Sequence, residues 1–453
     1  MADLLTVILA AGKGTRMKSN ITKVLHPLAG KEMIKHVIET VTDLESKVVT
    51  VVGHQAEKVK KNLNNYEVDF VEQKEQLGTA HAVMQARDEI KEHDGPVLVL
   101  YGDTPLLKEK TLEKMIKKHK KNKASLSILT AKVEDPEGYG RIVRKADGMI
   151  EKIVEEEDAS ESERAINEIN SGVYCFDSEI LDESLDNIDK DNAQGEYYLT
   201  DAVDYIKNEE KVVLPVVIED NKEIIGINDR STLARAEKIL RQRVNEKLME
   251  SGVRIIDPAN TYIDKDVSIG RDSVIYPFTY IEDSTVIGEN CTIGPSSRLV
   301  GAKLGDNIEL KANCQIHKSE IGNNCTVGPF AYIRPGTEIA NDAKVGDFVE
   351  LKKAKVGEKS KVPHLSYVGD ATIGKGSNIG AGTIFANYDG ENKHRTKVGD
   401  SAFIGSNTTL VAPVEVGNGS KTGAGSVVTK NVEDDTVVLG VPAHTHKKCK
   451  KDS

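Results

Sequence analysis

The 453-residue chain contains no tryptophan, and aromatic residues make up only 4% of it. Any core must therefore be filled by Ile, Val and Leu rather than by large rings. Cysteine is scarce. The five, at Cys175, Cys291, Cys314, Cys325 and Cys449, are odd in number and form no C-x-x-C pair. Neither a disulfide framework nor a zinc site is indicated, and reduced, buried thiols in a cytoplasm are expected. No apolar run reaches eighteen residues, so no transmembrane helix is expected. Positive charge is in deficit too. Lys plus Arg is 61 against 72 Asp plus Glu, a net charge of -11. That balance argues against nucleic-acid binding and leaves room only for a local basic pocket. Met1 to Ala11 lacks a basic n-region and runs straight into a Gly-rich turn, so it reads as a first strand and not as a signal peptide.

What is present falls into two unlike halves. Of the 37 glycines, 14 lie in residues 1–252 and 23 in the shorter remainder. Residues 1–228 alternate strand-like and helix-like segments: a strand over Leu4–Ala10, another over Lys47–Val52, a helix over Gly78–His93, and a buried strand over Val97–Tyr101. This alternation predicts a mostly parallel α/β sheet with helices on both faces. Ligands in such sheets bind at the carboxyl ends of the strands, where the turn Ala11-Gly12-Lys13-Gly14-Thr15 and Asp103 fall. Residues 229–252 read as one linker helix with Leu233, Ala236, Leu240, Val244 and Leu248 as its apolar stripe. From Val253 the period becomes six. Fifteen aliphatic-Gly pairs run from Ile269-Gly270 to Val416-Gly417, and Ile269, Ile275, Ile281, Ile287, Ile293 and Leu299 hold one register unbroken. One inward aliphatic every six residues describes a triangular parallel β-helix of about eighteen residues per coil over 253–453, with a C-terminal tail. Between Ile379 and Val398 a loop interrupts the phasing, and a solenoid tolerates such an insertion only on its surface.

The string Leu9-Ala10-Ala11-Gly12-Lys13-Gly14-Thr15-Arg16-Met17, with Lys23 beyond, suits a phosphate. Glycines let backbone amides approach phosphate oxygens, and Arg16 and Lys23 add charge. The string is not a Walker A loop, which needs Gly where Val7 stands. Nor is it the dinucleotide fingerprint, because Met17 replaces the third Gly. Each residue alone has a plain structural reading: Asp103 as a helix cap, Asn228 as a turn residue, Arg16 and Lys23 as surface charges, His364 as a coil-corner residue.

The string, with Gln73, Gly78-Thr79, Tyr101-Gly102-Asp103, Tyr139-Gly140-Arg141, Val154-Glu155, Asn170-Ser171-Gly172, the run 194–198 and Asn228 in order, resembles the signature of sugar-nucleotide pyrophosphorylases. Joined to a hexapeptide solenoid, the chain is similar over its whole length to the bacterial bifunctional enzymes that make UDP-N-acetylglucosamine. These combine a glucosamine-1-phosphate N-acetyltransferase with an N-acetylglucosamine-1-phosphate uridylyltransferase. The resemblance implies a Rossmann-like nucleotidyltransferase domain, a left-handed β-helix, a cytoplasmic homotrimer, and a supply of precursor for peptidoglycan, teichoic acid or lipopolysaccharide. It implies UTP and N-acetylglucosamine 1-phosphate as substrates of the first half. Leu9, Ala10, Ala11, Gly12, Gln73, Gly78 and Thr79 would hold the uridine and its phosphate, within a substrate site that includes Tyr101 and Gly102. Gly140, Glu155 and Asn170 would hold the sugar. Asp103 and Asn228 would bind Mg²⁺, and Arg16 and Lys23 would steady the triphosphate. Thr22 stands where the family usually has Pro.

In the solenoid the resemblance implies glucosamine 1-phosphate and acetyl-CoA as substrates. His364 would be the general base, and Arg334, Lys352, Tyr367 and Asn378 the sugar-phosphate ligands. Ala381, Asn387, Tyr388, Ser406, Ala424 and Gly440 would meet acetyl-CoA, with Gly440 standing where the family often has Arg. By the eighteen-residue coil Glu350 stacks within one coil of His364 and is expected to orient or charge-support its imidazole. A histidine near neutral pKa suits removal of the amine proton, and no cysteine is placed for an acyl-enzyme. The tail lysines Lys447, Lys448, Lys450 and Lys451 read as solubilising. His444, His446 and Cys449 lack a fourth ligand for a metal. Two rival readings stay open: a monofunctional pyrophosphorylase with its solenoid as scaffold, and a non-catalytic regulatory subunit built on the same modules.

Overall fold

The computed structural model describes residues 3–448. Cys449, Lys450 and Lys451 lie outside them. The described chain divides into two compact units, Met1–Leu240 and Arg241–Ser453.

The first unit is built on one sheet. Its strands are β1 (Leu5–Ala10), β2 (Lys47–Val52), β3 (Asp69–Glu72), β4 (Pro96–Tyr101), β5 (Leu126–Lys132), β6 (Arg141–Arg144), β7 (Ile150–Val154), β8 (Glu168–Asp177) and β9 (Val213–Val217). The main order is β9-β5-β8-β4-β1-β2-β3, with the β6–β7 hairpin attached to β8. β1 is parallel to β2 and β4, and β9 is parallel to β5. β8 runs antiparallel between β4 and β5, so the sheet is mixed. Every residue of β1 is buried, as a strand covered on both faces requires. The expected helix over 78–93 is two short helices, Thr79–Met84 and Arg87–Lys91, separated by Ala86 at φ -100° and ψ 18°.

The helix Arg230–Glu250 opens on Asp229, whose carboxylate accepts from the Thr232 amide at 2.8 Å. In the first unit, Ala236 and Leu240 pack with Leu28, Ala29, Met33 and Leu106. In the second unit, Val244, Leu248 and Met249 pack against the solenoid core. The division between the units therefore falls inside the helix, whose two ends serve different cores.

The second unit is a left-handed parallel β-helix with three sheets of twelve, ten and nine strands. Ile275 stacks on Ile293, Ile281 on Leu299 and Ile287 on Leu304. The coil repeat is thus eighteen residues in places and seventeen in others. The inward residues Ile281, Ile293, Leu299, Leu310, Ile333 and Leu351 are fully buried. The interrupting loop is exposed at Tyr388, Asp389 and Gly390, and its base is closed by a Tyr388–Lys393 bridge.

Candidate functional sites

The carboxyl ends of β1 and β4 open into a cavity of about 470 Å³. Its wall includes Leu9, Ala10, Ala11, Gly12, Lys23, Gln73, Gly78, Thr79, Tyr101, Asp103, Gly140, Glu155, Asn170 and Asn228, as expected from the sequence. Two expected residues stand apart. Gly102 donates its amide to Leu9 O at 2.9 Å and lies behind the wall. Arg16 is exposed on the turn Thr15–Met17, because that turn buries Met17 and directs its neighbour outward. Its charge still reaches Asp229, whose pKa it helps to lower after the larger effect of the Thr232 and Ser231 hydrogen bonds.

Lys23 is the only Lys or Arg on the cavity wall among the described residues. Its ammonium donates to Asp103 Oδ2 and, at 3.0 Å, to Asn228 Oδ1. One cation therefore already bridges the two oxygens assigned to Mg²⁺. A carboxylate and an amide carbonyl are hard oxygen donors, and Mg²⁺ commonly takes one or two such protein ligands and leaves the rest to water and phosphate. The residues fit the ion. Asn228 is set by the start of the long helix, where Thr232 Oγ1 accepts from its amide at 3.3 Å. Thr22, the residue before Lys23, holds φ -60° and ψ 145°, the backbone a proline would impose. The departure from Pro therefore leaves the chain path unchanged.

Gly78 is required by geometry: its φ is +116°, and a Cβ there would stand 2.4 Å from Tyr197 O. Gln73 donates Nε2 to Gly78 O at 3.1 Å, and Thr79 Oγ1 accepts from the Leu199 amide at 3.0 Å. Toward the sugar side, burial raises the Glu155 pKa, and Thr200 Oγ1 donates to its Oε1 at 3.1 Å. The Asn170 amide donates to Tyr174 OH at 2.6 Å and its Oδ1 accepts from the Gly172 amide at 3.1 Å. Tyr139, Ser171, Gly172 and Glu196 also line the cavity. They stood in the matched strings but were not singled out.

The solenoid site is laid out by register. Tyr332, Glu350, Tyr367 and Ile384 stack on successive rungs of the ten-stranded sheet. Asp347 pairs with His364 at the carboxyl ends of two central strands of the twelve-stranded sheet. His364 Nδ1 and Asp347 Oδ1 are 2.5 Å apart, and this hydrogen bond is the main cause that lowers the Asp347 pKa. Glu350 does not orient His364. It accepts from Arg334 Nη1 at 2.8 Å instead. The physical reason is spacing: Glu350 precedes His364 by less than one full coil. At this point the repeat is seventeen, so Asp347 meets His364 and Glu350 meets Tyr367. Asp347 is the residue sequence reasoning missed, and the slips of five in the six-residue phasing were the signal for it.

Arg334 lies 5.7 Å from the Tyr332 ring centroid. Lys352 Nζ approaches Asp370 Oδ2 at 3.8 Å, and Asn387 donates to that same oxygen at 2.5 Å. Asn387 is thereby buried at the loop base, while Tyr388 is exposed. Lys393, from the loop, stands beside Lys352, whose side-chain contact and then whose charge push its pKa down. Two ammoniums this close, with Arg334 on a neighbouring rung, favour an anion between them. Asn378 pairs with Lys361 on the His364 sheet; its backbone N–H donates to Ala402 O at 2.9 Å, and its side-chain amide makes no hydrogen bond among the described residues. Ala381, Ser406 and Ala424 follow each other up one corner, since Asn407 N donates to Ala381 O at 2.7 Å and Gly425 N to Ser406 O at 2.8 Å. Gly440 has φ +104°, a conformation an arginine rarely adopts. His444 and His446 are exposed on the last strand, and among the described residues no cluster of three His, Cys, Asp or Glu could hold a metal ion. No helix among the described residues is long and apolar enough to cross a membrane.

Comparison with known proteins agrees with both halves. Residues 5–224 match the nucleotidyl transferase family, residues 258–342 the GMPPB C-terminal domain, and residues 395–430 the bacterial transferase hexapeptide family. The chain is 50% identical over 448 residues to the "Bifunctional protein GlmU" of a Geobacillus species, covering 99% of this chain and 97% of the relative. It is 49% identical over 448 residues to that of Acetivibrio thermocellus, again covering 99% and 97%. It is 48% identical over 438 residues to that of Listeria innocua serovar 6a, covering 96% and 95%. With this identity sustained across a nucleotidyltransferase sheet and a hexapeptide solenoid, the chain belongs to the bifunctional GlmU protein family.

Proposed function

We propose that the protein makes UDP-N-acetylglucosamine in two steps at two separate sites, acetylating glucosamine 1-phosphate on the solenoid and then transferring UMP to the product in the sheet domain. The observation that carries this reading is the Asp347–His364 pair, on coils that also carry Arg334 and Lys352, the latter met by Lys393 of the inserted loop, in a chain whose first unit holds the Lys23–Asp103–Asn228 cluster.

For acetyl transfer, Asp347 accepts from Nδ1–H of His364 and so leaves the Nε2 lone pair as the base. The sugar amine attacks the thioester carbonyl of acetyl-CoA. A C–N bond forms, the C–S bond breaks, His364 takes the amine proton, and the thiolate of coenzyme A leaves and is protonated. Arg334, Lys352 and Lys393 hold the sugar phosphate. Ala381, Asn387, Tyr388, Ser406 and Ala424 line the acetyl-CoA path.

For uridylyl transfer, an oxygen of N-acetylglucosamine 1-phosphate attacks the α-phosphorus of UTP and pyrophosphate leaves. The attacking oxygen is already an anion, so no strong base is needed; the obstacle is repulsion between two anions. Asp103 and Asn228 would hold Mg²⁺, which would supply positive charge against that repulsion and on the leaving group. Lys23 adds the protein's own charge at the same point. Gln73, Gly78 and Thr79 hold the nucleotide, and Gly140, Glu155 and Asn170 the sugar.

We also propose a cytoplasmic homotrimer. Phe278, Phe330, Phe348 and Leu365 are each about half exposed and sit at solenoid corners with left-handed backbone. The Phe330 and Phe348 rings stack at 5.1 Å. An apolar ridge of this kind supports packing against a second copy. Sedimentation of the full chain tests the trimer. The activity is tested by incubation with glucosamine 1-phosphate, acetyl-CoA, UTP and Mg²⁺, with products identified by mass. UDP-N-acetylglucosamine, coenzyme A and pyrophosphate are expected, and an acetylated product without nucleotide transfer would overturn the two-step reading.

A further inference from the structure

The cavity wall contains a hydrogen-bond relay that the uridylyl-transfer chemistry does not use. Gln73 is almost fully buried. Its Nε2 lies 3.1 Å from Gly78 O and 3.1 Å from His81 Nδ1. A carbonyl oxygen only accepts, so the atom facing Gly78 O must be the amide nitrogen. The same nitrogen then spends its second hydrogen on His81 Nδ1. Gln85 Nε2 stands farther off, 3.4 Å from His81 Nε2, so the shorter Gln73 contact assigns His81 as the neutral tautomer that carries its proton on Nε2. The imidazole is itself held by stacking on Tyr197, with ring centroids 6.2 Å apart. Both Gln73 hydrogens are consumed. Its Oε1 has no partner among the described residues, and the side chain lines the cavity.

We infer that His81 is a positioning residue that selects the base, by fixing the Gln73 amide so that it offers only an acceptor to the nucleotide. This rests on the reading of the cavity as the UTP site. A fixed acceptor favours a pyrimidine that carries a hydrogen on N3, as uracil and thymine do. Cytosine presents a bare, accepting N3, and two facing acceptors repel. Without His81, the Gly78 O contact alone holds the amide, and the released Gln73 hydrogen is free to donate to an accepting base. Discrimination of this sort comes from the polar group that the wrong ligand leaves unpaired.

The test compares kcat/KM for UTP, dTTP and CTP with N-acetylglucosamine 1-phosphate, using the full chain. Wild type should use UTP and discriminate little against dTTP at this contact. His81→Phe keeps a ring against Tyr197 without an acceptor, and His81→Leu removes the ring as well. Either folded variant should narrow the UTP:CTP ratio by roughly tenfold, about one hydrogen bond's worth, chiefly through a raised KM for UTP. The KM for the sugar phosphate and the acetyl-transfer rate should stay at wild type, which certifies the fold. His81→Asn places an amide oxygen near the position of Nδ1 and should restore most of the ratio. A folded Phe or Leu variant with an unchanged UTP:CTP ratio would overturn the inference. A wild type that uses none of these nucleotides would instead sink the functional reading beneath it.

Discussion

Replacing Asp347 with Asn separates the structural account of the acetyl-transfer site from the one read off the sequence. The carboxylate holds His364 Nδ1 at 2.5 Å, whereas Glu350 holds Arg334. Asn can present its NH₂ as well as its oxygen to Nδ1, so the negative charge behind the developing imidazolium is lost and the tautomer is no longer fixed. A fully buried carboxylate in such a position is worth about 10⁴ in kcat. Here the side chains of His364 and Asp347 are 55% and 35% exposed, so water replaces part of that support. The expected fall in acetyl-transfer kcat is therefore about 10- to 100-fold, within the range for supporting groups around a reactive centre. Glu350→Gln should leave kcat within about threefold and act on the KM for glucosamine 1-phosphate, because it changes the surroundings of Arg334. Release of coenzyme A thiol, followed with a chromogenic disulfide at saturating acetyl-CoA, reads both. A wild-type kcat in Asp347→Asn together with a large loss in Glu350→Gln would refute the assignment.

Three further outcomes follow from the geometry. A fragment ending at Leu240 should keep uridylyl transfer, while one ending at Arg230 should be markedly less stable and bind Mg²⁺ and UTP more weakly. The shorter fragment lacks Thr232, which accepts from the Asn228 amide, and uncovers Leu28 and Leu106; losing Leu240 burial alone costs about 2 kcal/mol. Burial and neighbouring acidic groups, Asp204 and Asp189 first, push the Asp201 pKa to about 6 from 3.8. Because the folded pKa is the higher one, stability falls as pH rises from about 4 to 6 and stays reduced above that; Asp201→Asn should raise the melting temperature at pH 8 by an amount equivalent to about 2–3 kcal/mol and leave it unchanged at pH 4. Gly78→Ala should cost about 1–3 kcal/mol in denaturant melts and raise the KM for UTP, since its φ of +116° is glycine territory and the added carbon meets Tyr197 O.

Much of this was legible in the chain because inward Ile, Val and Leu residues repeat at a fixed interval, which fixes a solenoid without any tertiary information. The same regularity hid the coil length. A single five-residue step between two six-residue ones moves every later residue by one rung position, and it sets Asp347, rather than Gly346, opposite His364. The α/β strands Leu5–Ala10 and Lys47–Val52 stood out as apolar runs, but the antiparallel course of Glu168–Asp177 is set by which strands it meets and leaves no mark in its own composition. The break at Ala86 is invisible for a related reason: apolar spacing continues through it. Lys23 is 80 residues from Asp103 and 205 from Asn228 in the chain, so their meeting could be expected only from motif resemblance. Arg16, equally prominent in the string, points away because burial of Met17 decides the turn.

The central claim, two independent sites acting in series on one chain, is tested most directly by the products of two variants given glucosamine 1-phosphate, acetyl-CoA, UTP and Mg²⁺. Asp103→Ala should accumulate N-acetylglucosamine 1-phosphate at a near-wild-type rate and form no UDP-sugar, because Asp103 lines only the sheet-domain cavity. His364→Ala should slow acetyl transfer about 10²- to 10⁴-fold, the usual worth of a positioned base, and still convert added N-acetylglucosamine 1-phosphate to UDP-N-acetylglucosamine at the wild-type rate. Loss of both activities in either folded variant, or acetyl transfer per folded molecule preserved in His364→Ala, would contradict the account.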